Sequence, residues 1–405
     1  MKFSVKDRIM KIVQINTVCG SGSTGKICVA VSQLLTQKNI ENYVLYASGK
    51  SEYPLGIRFM TNKEVKWQAL RSRILGNYGF NSKRATKRLL KELDKIQPDI
   101  IHLHNLHGHN VHLGMLCTYL KEKKIKVFWT FHDCWAFTGY CPHYDMIGCD
   151  QWKKDGCKKC PQKRRTSWFL DRSQYLFNQK KKLFTGLDMT IITPSKWLAE
   201  QVKQSFLAEC EVQVINNGID LSVFYPRESD FRQKYHLEDK YIVLGVAHIW
   251  CVQKGLDVFI ELSKRLDARF QIVLVGTDDK VDKQLPENII SIHRTNNQAE
   301  LAEIYSAADV FVNPTRQENY PTTHMEALAC GTPVISFNTG GCKEMLDDKC
   351  GVVVAKNDVD GIVRMIVKER EIHLSSTESC IRKAREFRET DAFEQYRELY
   401  ERLVD

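Results

Sequence analysis

The side chains best placed for chemistry in this chain lie between Glu318 and Val334. The carboxylates of Glu318 and Glu326 fall in one short segment, the second about one turn inside a predicted helix. Thr322 and Thr323 are predicted to cap that helix, and a Gly-Thr-Pro turn ends it before a strand. Backbone N–H groups at a helix start attract an anion, and a carboxylate can accept hydrogen bonds from vicinal hydroxyls. A nucleotide sugar offers both partners, although two unrelated exposed glutamates would also explain the pair.

A glycine-rich loop, Gly20–Lys26, follows a predicted strand and precedes a helix expected over Ile27–Gln37. Its spacing is that of a phosphate-binding P-loop, except that Ile27 replaces the Ser or Thr that holds Mg²⁺. A nucleoside triphosphatase is therefore not expected, because phosphoryl transfer needs the metal. The glycines, Gly22 among them, still allow the backbone to approach an anion closely. A tight strand–helix turn without a ligand is the alternative.

Two further side chains follow predicted strands. Lys254 precedes a glycine at a helix start, from which its amine can reach a phosphate; an exposed Lys without a role is the alternative. His132 lies at the carboxyl edge of a predicted parallel sheet, where ligands usually bind; a core His is the alternative. The histidine run His102–His109 has no carboxylate at a metal-site spacing, so no metal is expected there.

Cysteines are frequent, with 14 in the chain. Cys141, Cys149, Cys157 and Cys160 lie in a Lys-rich segment with little apolar content, and the last two have the CxxC spacing of zinc knuckles. The four form a candidate structural zinc site, which would help the segment to order. Free thiols or a labile disulfide are the alternatives. Most of the other cysteines lie in apolar runs and are expected in the core.

Strand and helix signals alternate along the chain, which favours parallel sheets covered by helices. The segment Lys63–Gln97 is predicted to be mostly polar-amphipathic helix that ends before Pro98. The turn-rich segment 216–220 separates two such series, and the second runs to about residue 384. The final stretch, with Phe393, Tyr396 and Tyr400, has helical spacing. An α/β protein with two domains is therefore expected.

Length and composition are those of an ordinary globular protein. The chain has 405 residues, of which 43% are hydrophobic and 27% charged, and no apolar run is long enough to cross a bilayer. The polar start, Met1–Arg8, is not typical of a signal peptide, so a cytoplasmic protein is expected. The formal net charge of +10 comes from residues 1–215, whereas acidic residues outnumber basic ones in the remainder. A basic half favours an anionic partner such as a phospholipid surface, or is simply a solvated Lys-rich surface.

The ordered set of motifs resembles the retaining family-4 glycosyltransferases of GT-B fold, and more narrowly the bacterial enzymes of exopolysaccharide, capsule or lipopolysaccharide synthesis. The resemblance covers nearly the whole chain. The motifs that carry it are the loop 20–25, Pro98–Asn105, His132-Asp133, Thr193–Trp197, Asn217–Asp220, Lys254-Gly255, Ala308-Asp309, Glu318 with Glu326, Gly331–Pro333 and Gly340-Gly341.

The resemblance implies two Rossmann-like domains that face each other across a cleft. The acceptor domain would comprise residues 1–216, with the Cys/Lys-rich insert at about 134–165. The nucleotide-sugar domain would comprise residues 217–384, and a helix over 385–405 would cross back to the first domain.

The resemblance also implies roles for residues. Glu326 would hold the ribose, and the pyrophosphate would lie against Lys254 and the backbone of the threonine pair. Glu318 and His132 would contact the transferred sugar and act in catalysis. Further donor contacts are expected from Gly22, Asn319, Thr322 and Thr323.

A cation and a helix N-terminus can stabilise a departing diphosphate without a metal ion, so no catalytic cofactor is expected. Retention would come from front-face attack, since no dedicated carboxylate nucleophile is evident. Two motifs depart from the family pattern: His248 replaces an Arg, and Asn319-Tyr320 follow the first Glu where Gly-Phe is usual. The first change can lower phosphate affinity or make it pH-dependent, and the second can reshape the sugar pocket.

The function expected from these motifs is transfer of a sugar from a UDP- or GDP-sugar to a lipid-linked or growing polysaccharide acceptor. Association with the anionic inner face of the plasma membrane is expected from the basic half. A catalytically inactive GT-B assembly subunit and a basic, zinc-containing nucleic-acid-binding protein are the alternatives. The second lacks stacking motifs and a reader helix, so no nucleic-acid partner is expected.

Overall fold

The structure, a computed structural model, describes residues 10–153 and 156–402. The chain divides into two compact units. The first unit runs to Tyr144, resumes over Gly148–Ile215 and includes the chain again from Phe393 onward. The second unit comprises Asn216–Ala392 together with Asp145–Ile147, three residues of the predicted insert.

The first unit is built on a seven-stranded parallel sheet, which confirms the prediction of a parallel α/β domain. The spatial order is β3-β2-β1-β4-β5-β6-β7, so the chain changes direction across the sheet between β1 and β4. Loops at the carboxyl ends of these two strands open a crevice where ligands bind in such sheets. The strands are β1 (Lys11–Val18), β2 (Glu41–Ser48), β3 (Gly56–Arg58), β4 (Ile100–Leu103), β5 (Lys126–Thr130), β6 (Met189–Thr193) and β7 (Glu211–Val214).

Seven helices cover this sheet, and its central strands are buried on both faces. The prediction that Lys63–Gln97 is mostly helical is confirmed, and the helical residues form two helices. Gly76 ends the first helix in the left-handed conformation at φ 66°, and its N–H donates to the Ser72 carbonyl, so that a second helix starts afresh at Lys83. The helices are α1 (Gly22–Gln37), α2 (Asn62–Leu75), α3 (Lys83–Ile96), α4 (Leu113–Lys123), α5 (Lys163–Thr166), α6 (Ser173–Phe184) and α7 (Lys196–Lys203).

The second unit has a six-stranded parallel sheet of order β10-β9-β8-β11-β12-β13. The chain changes direction across this sheet between β8 and β11. The segments that follow these two strands therefore lie side by side at the carboxyl edge of the sheet. The strands are β8 (Tyr241–Val246), β9 (Phe270–Val275), β10 (Ile289–Ile292), β11 (Val310–Asn313), β12 (Val334–Phe337) and β13 (Gly351–Val354). The helices are α8 (Phe231–Lys234), α9 (Leu256–Arg265), α10 (Asp279–Asp282), α11 (Gln298–Ala307), α12 (Thr322–Ala329), α13 (Val359–Ile372) and α14 (Thr377–Ala384).

The last helix, α15 (Glu389–Glu401), has the predicted spacing of buried aromatic residues. Tyr396 and Tyr400 are buried against the first sheet, where their hydroxyls lie 3.3 Å from Thr130 Oγ1 and 2.6 Å from His102 Nδ1. The core placement of Cys28, Cys117 and Cys330 is confirmed as well, because all three are buried. None of the described helices is long and apolar enough to span a bilayer.

Candidate functional site

An ion pair between Lys254 and Glu318 lies at the switch point of the second sheet. The Lys254 Nζ atom is 2.7 Å from Glu318 Oε2. Lys254 ends a short 3₁₀ turn after β8, and Glu318 follows β11. Burial lowers the pKa of the Lys254 amine, but the charge and hydrogen bond of Glu318 outweigh it and the pKa is raised. The amine therefore keeps its positive charge at neutral pH.

Backbone contacts hold these two segments together. The N–H of Arg316 donates to the Gln253 carbonyl at 2.8 Å, and its guanidinium makes a bidentate pair with Asp257 at 2.8 Å to each oxygen. Gly255 sits at φ 78°, where a Cβ would come within 2.5 Å of Pro314. A glycine before α9 thus permits the close approach that brings Lys254 to the end of β11.

Two glycines in the loop after β12, Gly340 and Gly341, pack against the segment that contains Glu318. Gly340 has φ 57°, and a Cβ there would lie 2.1 Å from the Glu318 carbonyl oxygen. The N–H of Gly341 donates to the Asn319 carbonyl at 2.7 Å. Asn319 is buried, and its own N–H donates to Glu318 Oε1 at 3.1 Å. The loop after β12 therefore fixes the backbone of the carboxylate segment.

Helix α12 starts at this segment without a side-chain cap. Its N-cap residue is Pro321, and Thr322 and Thr323 form the first turn, so the prediction that the threonines cap the helix is wrong. Proline sets the extended φ before the helix, which moves the start one residue ahead of the hydroxyls. The first N–H groups of a helix have no acceptor within it, and here no cap side chain supplies one. These groups can therefore receive an anion.

Glu326 lies one turn into α12, on the same face as Thr322. Its Oε2 accepts a hydrogen bond of 3.1 Å from the hydroxyl of Tyr305 on α11. Tyr305 is fully buried, and burial together with the Glu326 charge raises its pKa well above the ordinary value. Tyr305 therefore stays a donor and orients the carboxylate. The sequence offers no local signal for this partner, because it lies on a separate helix.

His324 is the remaining buried polar side chain of α12. Its Nε2 lies 3.0 Å from Asn313 Nδ2, and burial lowers its pKa to about 4. An amide nitrogen can only donate, so Nε2 accepts and the ring is neutral. His324 thereby ties α12 to the end of β11.

In the first unit, the glycine-rich loop becomes the first turn of α1. The helix begins at Gly22, earlier than the predicted Ile27, and its N-cap Ser21 makes no side-chain cap. Gly25 packs against the end of β1, where a Cβ would meet Val18 at 3.1 Å. Gly22 is exposed and has open space around its Cα at φ 61°. The turn thus presents uncapped N–H groups at the switch point of this sheet.

His132 follows β5 and is connected to a buried chain of hydrogen bonds. The Gln14 amide donates to the Cys28 carbonyl at 2.9 Å, which turns its oxygen toward His104 Nε2 at 3.1 Å. His104 must then donate from Nε2 and accept at Nδ1, which lies 3.1 Å from His132 Nε2. His132 consequently carries its proton on Nε2. Burial lowers its pKa to about 4, so the ring is neutral at pH 7.

Asp133 pairs with a second histidine of the predicted run. Its Oδ2 is 2.8 Å from His107 Nε2, and its Oδ1 accepts from the Trp135 N–H at 2.8 Å. Burial raises the pKa of Asp133, but His107 and the hydrogen bonds prevail and lower it to about 2. His102 lies between Tyr400 and Thr130, and burial lowers its pKa to about 3. His102 and His107 thus form hydrogen bonds that connect neighbouring segments at the carboxyl edge of the first sheet.

The structure thus brings Lys254, Glu318, Asn319, the threonine pair and Glu326 together at one sheet edge. Gly22 and His132 lie at the carboxyl edge of the other sheet. The predicted zinc ligands form a third group: Cys141, Cys149, Cys157 and Cys160 line one small cavity in the segment between β5 and α6. Tyr305 and Gln14 contact predicted site residues or their partners, and the motifs did not reveal them.

Two protein families match the chain. Residues 25–223 match the family described as Glycosyltransferase Family 4, and residues 240–368 match that described as Glycosyl transferases group 1. Each match falls largely on one of the two units. The donor-binding residues predicted in the second unit, Lys254 through Glu326, all lie in the second match.

Similar proteins include bacterial glycosyltransferases. The chain is 24% identical over 373 residues to WcaC of Escherichia coli (strain K12), named for a colanic acid biosynthesis glycosyl transferase, covering 88% of this chain and 90% of that protein. It is 24% identical over 259 residues to the N,N'-diacetylbacillosaminyl-diphospho-undecaprenol alpha-1,3-N-acetylgalactosaminyltransferase of Campylobacter jejuni, covering 59% of this chain and 68% of that protein.

Solved structures agree in fold. Sucrose-phosphate synthase from Thermosynechococcus elongatus superposes with a TM-score of 0.71 at 16% identity, over 97% of this chain and 99% of that chain. Anabaena Alr3699/HepE in complex with UDP and glucose gives 0.67 at 14% identity, with the same coverage. The fold is GT-B, with two Rossmann-like α/β domains, as the resemblance implied.

Proposed function

We propose that this chain, which belongs to the GT-B glycosyltransferases with a family 4 and a group 1 domain, transfers a sugar from a nucleoside diphosphate sugar to a lipid-linked or growing saccharide acceptor. The observation that carries the proposal is the edge of the second sheet, where the Lys254 amine stands beside the uncapped start of α12. A relative named for colanic acid biosynthesis supports a product in surface polysaccharide.

The diphosphate of the donor is the group that this edge fits best. Lys254 supplies one full positive charge, and the first turn of α12 adds N–H groups and the positive end of the helix dipole. Glu326, oriented by the Tyr305 hydroxyl, can accept hydrogen bonds from two ribose hydroxyls. Since Thr322 and Glu326 share a helix face, phosphate and ribose would lie one helical turn apart.

Glu318 pairs with Lys254, so a diphosphate must compete with this carboxylate for the amine. As the amine turns to the phosphate, Glu318 becomes available to the hydroxyls of the transferred sugar. This exchange links donor binding to placement of the sugar. Asn319, buried and hydrogen-bonded to Glu318, would keep the carboxylate in place.

The reaction follows from the charges. The bond between the anomeric carbon and the diphosphate breaks, and its electron pair leaves with the diphosphate, where Lys254 and α12 stabilise it. The acceptor oxygen bonds to the anomeric carbon on the same face, and its proton passes to the departing phosphate oxygen. The configuration is then retained. Because the cation and the helix start supply positive charge, this scheme requires no metal ion.

The first unit offers a surface suited to a lipid-linked acceptor. Trp67, Leu70 and Ile74 lie along one side of α2 and are exposed, Trp67 by 61%. The turn with Trp168 and the 67% exposed Phe169 packs beside them, since the Trp168 N–H donates to the Arg73 carbonyl at 2.7 Å. Exposed basic residues surround this patch: Lys63, Lys66, Arg71, Arg73, Arg164 and Arg165.

We infer that this patch binds an anionic membrane surface, because interfacial aromatic rings and Lys/Arg side chains act together there. Replacing Trp168 and Phe169 with Ser should reduce cosedimentation with phosphatidylglycerol vesicles several-fold, with little binding to phosphatidylcholine vesicles in either protein. Ile372→Ser is the control, because Ile372 is 57% exposed in the second unit. Equal binding by all three proteins would contradict the inference.

The proposed activity is tested by a screen of UDP- and GDP-sugars with diphospho-undecaprenol-linked saccharides, read by mass spectrometry. Transfer of one sugar residue and an unchanged anomeric configuration by NMR are expected, with turnover maintained in EDTA. Glu326→Ala should lose nucleotide binding. Inactivity across all donors, with nucleotide binding intact, would favour the assembly-subunit alternative. Tight binding of random DNA without nucleotide binding would favour the nucleic-acid alternative.

A further inference from the structure

The cysteine-lined cavity between β5 and α6 lies outside the sites described for donor and acceptor. We propose that its four side chains, Cys141, Cys149, Cys157 and Cys160, bind one structural Zn²⁺ as a tetrahedral tetrathiolate. All four line the same cavity, whose central space of about 10 Å³ is that of one water-sized sphere. Four thiolates around one such space match the ligand set of structural zinc.

Hydrogen-bond donors point at the sulfur atoms. The Gly139 N–H lies 3.1 Å from Cys157 Sγ, and the Gln162 side-chain amide lies 3.6 Å from Cys141 Sγ. The thiols of Cys141 and Cys160 are themselves hydrogen-bonded. N–H groups directed at sulfur stabilise the thiolate form, as outer partners of metal ligands do.

The charge of the surroundings fits the ligand set. Binding of Zn²⁺ by four cysteines releases four thiol protons and leaves a complex with a net charge of about −2. The buried Lys180 amine is close enough to Cys157 and Cys141 to interact with their charge. Exposed Lys153, Lys158 and Lys159 stand in the same segment. The step involves no oxidant or reductant, because neither zinc nor sulfur changes oxidation state.

Binding would contract the cluster. Zn–S bonds of about 2.3 Å hold tetrahedral sulfur atoms roughly 3.8 Å apart, whereas no three of these sulfur atoms lie within 4.8 Å of one another. Rotation of the Cys side chains into the central space would close the distance. The three described side chains that do lie so close, Asp279, Asp282 and His293, form a surface cluster in which Asp282 is already hydrogen-bonded to Ser291 and His293, so they carry no proposal.

The metal would position the segment that leads to the first sheet edge. Gly139, which donates to Cys157, also accepts from the Lys180 amine at 3.4 Å. The same amine donates to the Trp135 carbonyl at 2.7 Å, and the Trp135 N–H donates to Asp133. The zinc would thus act on Asp133 through backbone contacts. Since the described residues of this segment form only short helical turns, the metal would provide much of its order.

The test is the metal content of the full chain, purified without a polyhistidine tag or chelator from zinc-supplemented medium. About one zinc per chain by elemental analysis is expected, and about four equivalents of an organomercurial should release it to a metallochromic dye. Negligible zinc would overturn the proposal. A mass lower by two hydrogens, mapped to a Cys141–Cys160 disulfide, would overturn it as well.

Variants locate the site. Cys157→Ser with Cys160→Ser should lower bound zinc at least about tenfold, whereas Cys117→Ser, a buried cysteine of the first core, should keep it. If the double variant does not fold, cobalt loading of the unmodified chain supplies the readout: thiolate-to-cobalt charge transfer in the near ultraviolet is expected, and its absence would overturn the assignment.

Removing zinc should raise hydrogen exchange in residues 134–172 while UDP binding by the second unit persists. Unchanged exchange would contradict the ordering role.

Discussion

The two sheet edges of this protein use opposite chemistry. At the edge of the second unit, Lys254, Glu318 and Glu326 are charged side chains beside an uncapped helix start. At the edge of the first unit, His102, His104 and His132 are neutral rings whose nitrogens are engaged in internal hydrogen bonds. Both edges occupy the switch point of a parallel sheet, so topology alone does not distinguish them.

The difference suits the proposed function. A departing diphosphate would need positive charge that is already in place, which the edge of the second unit offers. A sugar and its acceptor would need directional but uncharged partners, and the uncapped N–H groups at the start of α1 are of that kind. The histidines also make the first unit sensitive to acid, whereas the ion pair of the second unit is held at neutral pH.

The largest expected difference between the two units is in the stability that each loses at acid pH. His102 and His132 have folded pKa values of about 3 and 4, below the ordinary value of 6.5. The unfolded chain therefore binds more protons as pH falls below about 6.5, and stability is lost from there down to the folded pKa values. From pH 7 to pH 5 the first unit should lose about 4 kcal/mol from these two rings, and the second unit about 2 kcal/mol from His324.

Hydrogen exchange at pH 7 and pH 5, corrected for intrinsic rates, measures this difference unit by unit. Opening of the first unit should increase more steeply. Equal destabilisation of both units, or greater loss in the second, would contradict the assignment of neutral buried histidines to the first.

Lys254→Ala should produce the next largest effect. Removing the amine leaves the diphosphate without its full positive charge, and we expect affinity for UDP or GDP to fall roughly 100-fold, in line with about 2–3 kcal/mol for a charged hydrogen bond. Affinity for the free nucleoside should change little. Calorimetry with both ligands measures the difference, with Lys264→Ala as the control, since Lys264 lies exposed on α9. Equal weakening of nucleoside and diphosphate would be inconsistent with a phosphate contact.

Gly340→Ala tests whether the donor edge depends on close backbone packing. The new Cβ would lie 2.1 Å from the Glu318 carbonyl at φ 57°, so about 2 kcal/mol of stability should be lost, together with donor affinity. Gly186→Ala is the matched control, because Gly186 has φ 72° and no atom within 4 Å of the added carbon. Thermal melts of both variants give the comparison, and similar losses would show that φ alone accounts for the cost.

Glu318→Gln should give the smallest but most diagnostic change. The neutral amide no longer competes for the Lys254 amine, so affinity for the diphosphate should rise a few-fold, about 1 kcal/mol, while sugar transfer falls. Opposite shifts in nucleotide affinity and turnover, measured on one preparation, distinguish this role from simple structural damage. A decrease in both would argue that Glu318 serves only to hold Lys254.

Much of this fold could be predicted from hydrophobic patterning. The alternation of strands and helices predicted on both sides of segment 216–220 is present in the structure, because buried parallel strands and amphipathic helices have strong periodic signals. Errors arose where single residues decide. Pro321 takes the cap position that was predicted for the threonines, and Gly76 ends one helix within a segment that was predicted only to be mostly helical.

The site was predicted less completely. The order of the motifs identified Lys254, Glu318 and Glu326. The spacing of residues along the chain carries no information on which side chains from distant helices or strands contact them. Tyr305 reaches Glu326 from another helix, and Gln14 fixes the His132 tautomer through His104. Such contacts arise from tertiary packing alone. The pairing of Lys254 with Glu318 likewise depends on two loops that only the sheet order brings together.

A crystal soaked with UDP or GDP tests the central claim most directly. The account predicts the terminal phosphate at Lys254 Nζ and the N–H groups of Thr322 and Thr323, with the ribose hydroxyls at Glu326. A nucleotide bound with its phosphates elsewhere, away from Lys254 and the start of α12, would contradict it.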